Sequence, residues 1–241
     1  MHVPSQPLGL AYTRIRLTAL LVRLAAAIAI FSFGAVGAAH WLYGMTAAGN
    51  HTESDTEREI VLGDDVFRVP ENALRFREAR REGVAARLDL YLHWPELEGY
   101  ADVFKNDFNG TSDGKRIIFV TLAPRTRPLD MSGRLEPVYR HLVEDEAPAG
   151  PAGLKLRRFR SGSGYVDEIL AAGERQGESP FVARCLGGVL AQDSFAPCER
   201  ELFLTDEISL SYRFPEELLA EWRSLDAAIR AKVETLRRTG G

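Results

Sequence analysis

Cysteine is scarce. Only Cys185 and Cys198 occur in 241 residues, which excludes a disulfide-dense scaffold and a four-cysteine zinc site but leaves room for one bridge. A net positive charge is also missing: 30 basic against 34 acidic residues give a formal net charge of -4, which offers no support for nucleic-acid binding. Only one apolar run is long enough to span a bilayer, so the chain is not polytopic. There is no G-x-S-x-G, H-E-x-x-H, Gly-rich phosphate loop or dinucleotide fingerprint. No repeat with a period of roughly 20–50 residues is visible. With 45% apolar and 27% charged residues, what remains is an ordinary globular composition with one domain and an appendage.

The charges are divided along the chain. The first 52 residues hold Arg14, Arg16 and Arg23 and no acidic residue. Leu24 to Tyr43 reads LAAAIAIFSFGAVGAAHWLY, twenty residues without Asp, Glu, Lys or Arg, and a helix of about 20 residues matches a hydrocarbon core of about 30 Å. The apolar body of this segment includes Leu24, Phe31 and Gly34, while Trp41 and Tyr43 stand where amphipathic rings favour the lipid–water boundary. The arginines at the other end predict residues 1–23 as a cytoplasmic basic tail, 24–43 as a transmembrane anchor and the rest of the chain outside the cytoplasm. Small residues in GAVGAA leave open a cleaved secretory signal, although the run is longer than an ordinary signal core. Gly34 and Ala38 form a small-xxx-small pair, a weak signal for packing two anchors together. Residues 44–58 read as a tether, small and polar without periodicity from Thr46 to Thr56.

The body is expected over 59–241. Glu59 to Phe76 predicts a hairpin around Gly63-Asp64-Asp65, followed by a turn at Pro70. Leu88 to Trp94 alternates, with Leu88, Leu90, Leu92 and Trp94 on one face and Asp89, Tyr91 and His93 on the other. Further strands are predicted at Arg116–Ala123, Phe181–Leu186, Glu201–Leu204 and Ile208–Phe214, with a hairpin formed by Leu154–Arg160 and Tyr165–Ala171. A shorter helix is expected from Asp130 to about Val143, with Leu135, Val138, Tyr139 and Leu142 on one stripe. Pro215 to Arg238 predicts a long helix, acidic at its start, basic at its end, with an apolar stripe of Leu218, Trp222, Leu225, Ile229, Val233 and Leu236. The fold class is therefore α+β: a mainly antiparallel sheet covered by one long C-terminal helix and one shorter helix.

Cys185 and Cys198 fall at the facing ends of two consecutive strands, where a hairpin brings them within disulfide distance. In an oxidising compartment that bridge forms. The most suggestive polar patch is Asp89, His93 and Glu96, where a histidine base with a carboxylate orienter fits the residue types. The competing reading is a sheet face that carries polar side chains to solvent or beneath a loop. Of the five histidines only His93 and His141 fall in the body, and neither has a second histidine or cysteine at ligand spacing, so no metal and no cofactor is expected.

The strings HTESDTEREIVLGDDVFRVPENALRF, LDLYLHWPELEGYADVFKNDFN, DMSGRLEPVYRHL and CERELFLTDEISLSYRF resemble a group of uncharacterised, membrane-anchored proteins of rhizobia and related alphaproteobacteria. That resemblance implies a single N-terminal anchor, a Gram-negative host and a periplasmic domain at the inner membrane, and it carries no activity or catalytic residues. The functional expectation is a non-enzymatic domain binding another envelope component, with the membrane itself as one partner. The alternatives are a tethered hydrolase-like enzyme using Asp89, His93 and Glu96, or a ligand-sensing domain.

Overall fold

A computed structural model of the chain describes residues 51–111 and 115–238. The cytoplasmic tail, the anchor with Leu24, Phe31, Gly34, Trp41 and Tyr43, and the first part of the tether lie outside the described residues. Among those described, no helix is long and apolar enough to cross a membrane.

Eleven strands are formed among the described residues. The first three are β1 (Glu57–Leu62), β2 (Asp65–Pro70) and β3 (Gly83–Val84). Then come β4 (Leu88–His93), β5 (Ile117–Pro124), β6 (Lys155–Arg158) and β7 (Glu168–Gly173). The series ends with β8 (Phe181–Leu186), β9 (Cys198–Phe203), β10 (Ile208–Phe214) and β11 (Arg237–Arg238). They form two sheets where the sequence led us to expect one: a four-stranded sheet in the order β11-β2-β1-β3 and a seven-stranded sheet in the order β4-β5-β10-β9-β8-β7-β6. Every pairing is antiparallel except β1 with β3. The fold class read from the sequence, α+β with mainly antiparallel strands and a C-terminal helix, holds.

The apolar faces explain the packing. Leu88, Leu90, Leu92 and Trp94 join Ile60, Phe67, Leu122, Leu210 and Phe214 in one buried cluster. The C-terminal helix, Trp222–Leu236, adds Trp222, Leu225, Ile229, Val233 and Leu236, so the predicted stripe is core. It is preceded by a 3-10 segment, Glu216–Glu221, and stops short of its expected basic end. Arg237 turns extended and pairs with Phe67 of β2, and its guanidinium Nε donates to Asp65 Oδ1 at 2.8 Å. The edge of β2 thus takes the two arginines that a helix would have kept in its last turn.

The shorter helix is also reshaped. Only residues 135–142 are helical, as a wide π-type turn Leu135–Tyr139 that continues into Arg140–Leu142. Pro137 has no N–H to give, and the Arg134 carbonyl accepts from both Val138 and Tyr139, at 3.1 and 3.0 Å. Its predicted stripe nevertheless packs, with Tyr139 buried among Met131, Val143, Phe159, Leu170 and Val182.

Two further features set up the site. Residues 51–56, read as tether, are held against the body: Glu71 N–H donates to Thr56 O and Asn72 N–H to Ser54 O, at 3.0 and 2.9 Å. The alternation of strand directions gathers the loops 94–116, 159–167 and 187–197 at one end of the large sheet. Cys185 and Cys198 face each other across β8 and β9 at that end and are joined by a disulfide.

Candidate functional site

The polar face of β4 is not open to solvent. After the cis peptide Trp94–Pro95 the chain turns back tightly, with Leu97 N–H donating to His93 O and His93 N–H to Glu98 O, at 2.7 and 2.8 Å. Gly99 then crosses the Asn72–Ala73 backbone so closely that an added Cβ would lie 2.4 Å from Ala73 N. Only glycine fits this crossing. Tyr100 N–H donates to Asn72 O at 2.8 Å, and the helical turns Asp102–Phe104 and Lys105–Phe108 bring Phe104, Asp107 and Phe108 back over β4.

His93 sits beneath this cover, 4% exposed. Its Nδ1 lies 2.7 Å from Glu96 Oε2 and its Nε2 lies 2.8 Å from Asp107 Oδ2. Its ring stacks on Phe104 with centroids 3.8 Å apart and planes 11° from parallel. Both ring nitrogens are thus within hydrogen-bond distance of a carboxylate, and neither stands open to a substrate. The His93 hydrogen bond, foremost among several contacts, holds the Glu96 carboxyl below the ordinary glutamate range.

Of the three residues singled out by sequence, the fold brings His93 and Glu96 together and leaves Asp89 apart. Four residues along a strand is about 13 Å. Asp89 Oδ1 instead accepts from Arg87 Nη2 at 2.7 Å and from Thr121 Oγ1 at 2.7 Å. The carboxylate that does reach His93 from the far side is Asp107, which sequence spacing gave no reason to choose.

Beside His93 an aromatic group completes the cover. His51 stacks on Tyr100 at 4.6 Å and on Tyr91 at 5.5 Å, with Phe108 edge-on to Tyr91 at 4.9 Å. The Tyr91 hydroxyl lies 3.1 Å from His51 Nδ1, within hydrogen-bond distance. Burial, joined by the charge of Arg80, lowers the His51 pKa below its ordinary 6.5 against an opposing hydrogen bond to the Asn109 side chain, and burial pushes the Tyr91 phenol up.

A second polar cluster went unread in the sequence. Asp226, on the C-terminal helix, is fully buried, with Arg200 Nε donating to its Oδ1 at 2.7 Å and the Tyr212 hydroxyl at 2.6 Å. Arg175 donates to its other oxygen, and Arg230 Nε lies 3.1 Å away. Arg200 also donates to Val182 O at 3.0 Å and to Ser132 Oγ at 3.3 Å. Burial alone would raise the Asp226 pKa, but the Arg200 charge and the bonds from Tyr212 and Arg175 outweigh it, and the net shift is downward from 3.8. Burial and the Asp226 charge push the Tyr212 phenol well above its usual range. The signal was there to find: Asp226 falls on the apolar stripe between Trp222 and Ile229, and Arg200 on the inward face between Cys198 and Leu202. The cluster ties the helix to β8, β9 and β10.

Among the described residues no group of three or more His, Cys, Asp or Glu side chains could hold a metal ion. Around His93 the two ring nitrogens point to opposite sides, so its carboxylate partners do not converge on a common point.

The architecture places the chain among α+β proteins built on a long antiparallel sheet with a C-terminal helix. No family model matches it, and no curated protein matches it. It is similar in fold to Smlt3025, an immunity protein of the Stenotrophomonas maltophilia type IV secretion system, at a TM-score of 0.51 and 12% identity over 78% of this chain and 96% of that one. A second solved structure is the Neisseria meningitidis iron-regulated outer membrane lipoprotein FrpD, at a TM-score of 0.45 and 9% identity over 78% of this chain and 95% of that one.

Proposed function

We propose that this chain is a non-enzymatic, inner-membrane-anchored domain on the periplasmic side that binds another component of the cell envelope, and that it belongs with the rhizobial and related membrane-anchored group its sequence resembles. The observation that carries the reading is the state of His93. The histidine that the sequence singles out for general-base work has both nitrogens beside carboxylates and its ring covered by Phe104. The basic, apolar segment before residue 44 supports the anchor, and the Cys185–Cys198 bridge suits an oxidising compartment. The fold shared with an immunity protein of a secretion system is compatible with a role in recognition rather than turnover.

In-cell crosslinking of the full-length protein in its native envelope, read by mass spectrometry, tests this. One reproducible protein partner at near-equal amount is the expected result. An empty capture with the protein confirmed in the membrane, or a small-molecule turnover that survives purification, overturns it.

A further inference from the structure

We infer that the loop end of the seven-stranded sheet is a lipid-facing surface, on which the body rests against the bilayer that its own anchor enters; this rests on the anchored reading above. Of the seven large apolar side chains exposed among the described residues, four stand on loops at this one end: Val103 at 81%, Val166 at 74%, Val189 at 70% and Leu190 at 51% exposure. The other three, Phe76, Val84 and Leu129, lie away from these loops. Scattered single apolar residues need no explanation, but a set confined to one end does.

The loops that carry them form one continuous surface. Gly187 N–H donates to Asp167 O at 2.5 Å, which joins the tip bearing Val166 to the one bearing Val189 and Leu190. Lys115 Nζ donates to Ser194 O at 2.8 Å, and Gly110 lies against the Phe195 ring, which joins that loop to the 94–116 segment. Asp102 N–H donates to Glu53 Oε1 at 2.8 Å, next to Val103.

The occupant is indicated by where the chain leaves this surface. His51, the first described residue, stacks on Tyr100 and Tyr91 at the same end, so the described chain begins there. Between the expected end of the anchor at Tyr43 and His51 stand residues 44–50, which span roughly 25 Å at full extension. A body held at its apolar-tipped end within that distance of lipid presents those tips to the headgroup region. Acidic side chains outnumber basic ones on these loops, so the contact is made by apolar insertion and gains nothing from anionic lipid.

The test uses the full-length protein in phosphatidylethanolamine-containing vesicles whose acyl chains carry bromine near the headgroup. Three single variants, Val166→Trp, Val189→Trp and Leu129→Trp, each add one fluorophore to the wild-type tryptophans. The added emission from the first two should be quenched at least twofold more than that of Leu129→Trp, and replacing part of the lipid with phosphatidylglycerol should not increase the quenching. Equal or absent quenching, with the protein floating with the vesicles, overturns the surface while leaving the anchor intact. Blue-shifted but unquenched emission means that protein, such as a second copy, covers the loops, and this also overturns it. Failure to float with vesicles overturns the anchored reading and this inference together.

Discussion

His93 and Asp107, fourteen residues apart, meet through a 2.8 Å hydrogen bond that closes the loop after β4 back over the strand it left. Glu96 completes the clasp from the other ring nitrogen. A buried ring held between two carboxylates works as a structural fastener, and its removal takes one hydrogen-bond partner from each of them. His93→Ala is expected to lower the unfolding free energy by about 3 kcal/mol and to speed tryptic cleavage at Lys105. Chemical denaturation together with limited proteolysis checks this; unchanged stability would sink the fastening role.

Gly99 is the hinge of the same cover. Because an added methyl meets the Asn72–Ala73 backbone rather than a side chain that can swing aside, Gly99→Ala should cost about 2–3 kcal/mol. Thermal unfolding of the variant against wild type measures it.

Asp226 should respond asymmetrically to substitution. Asp226→Ala strands Arg200 without its buried counter-ion and is expected to cost about 3–5 kcal/mol in urea denaturation, whereas removing the arginine as well, Asp226→Leu with Arg200→Met, recovers only part of the loss, because the buried Tyr212 hydroxyl and Arg175 still lack their acceptor.

Acid sensitivity should have a component traceable to His51. Its pKa in the folded protein lies below the ordinary 6.5, so as pH falls through 6.5 the unfolded chain takes up the proton first and stability drops until the folded value is passed. His51→Phe keeps the stack on Tyr100 and removes that proton uptake. Stability measured from pH 7 to 5 should therefore fall less steeply in the variant. Asp226 and Glu96, held below 3.8 and 4.5, add their losses at lower pH, because their contribution is present above the unfolded values and disappears as they protonate in the folded state.

Reduction of Cys185–Cys198 should lower stability by roughly 3 kcal/mol, the chain-entropy value for a loop of this size. The melting temperature with and without a thiol reductant reports it, and the double serine variant should match the reduced protein.

Much of this fold is legible in the sequence where one physical signal decides the outcome. Strands β8 and β10 match their predicted limits because clean apolar patterns end at glycine or proline, and the C-terminal stripe declares its buried face. What was not legible depends on distant chain segments meeting. No local spacing selects Asp107 over Asp89 as the partner of His93, because the choice is made by a loop that bends back across Asn72. The departure of Arg237 from the helix is set by an open edge on β2, 170 positions upstream for the Arg237–Phe67 pair. Asp226 reads as a surface residue until its stripe is taken literally.

That edge of β2 also constrains the order of events during synthesis. A ribosome delivers β1, β2 and β3 early, yet the sheet they begin stays one strand short until residues 237–238 have been made and the C-terminal helix has swung them into place. The earliest part of the body is thus completed by the latest, and a nascent chain halted midway carries an unsealed strand edge that invites pairing with its neighbours on the same message.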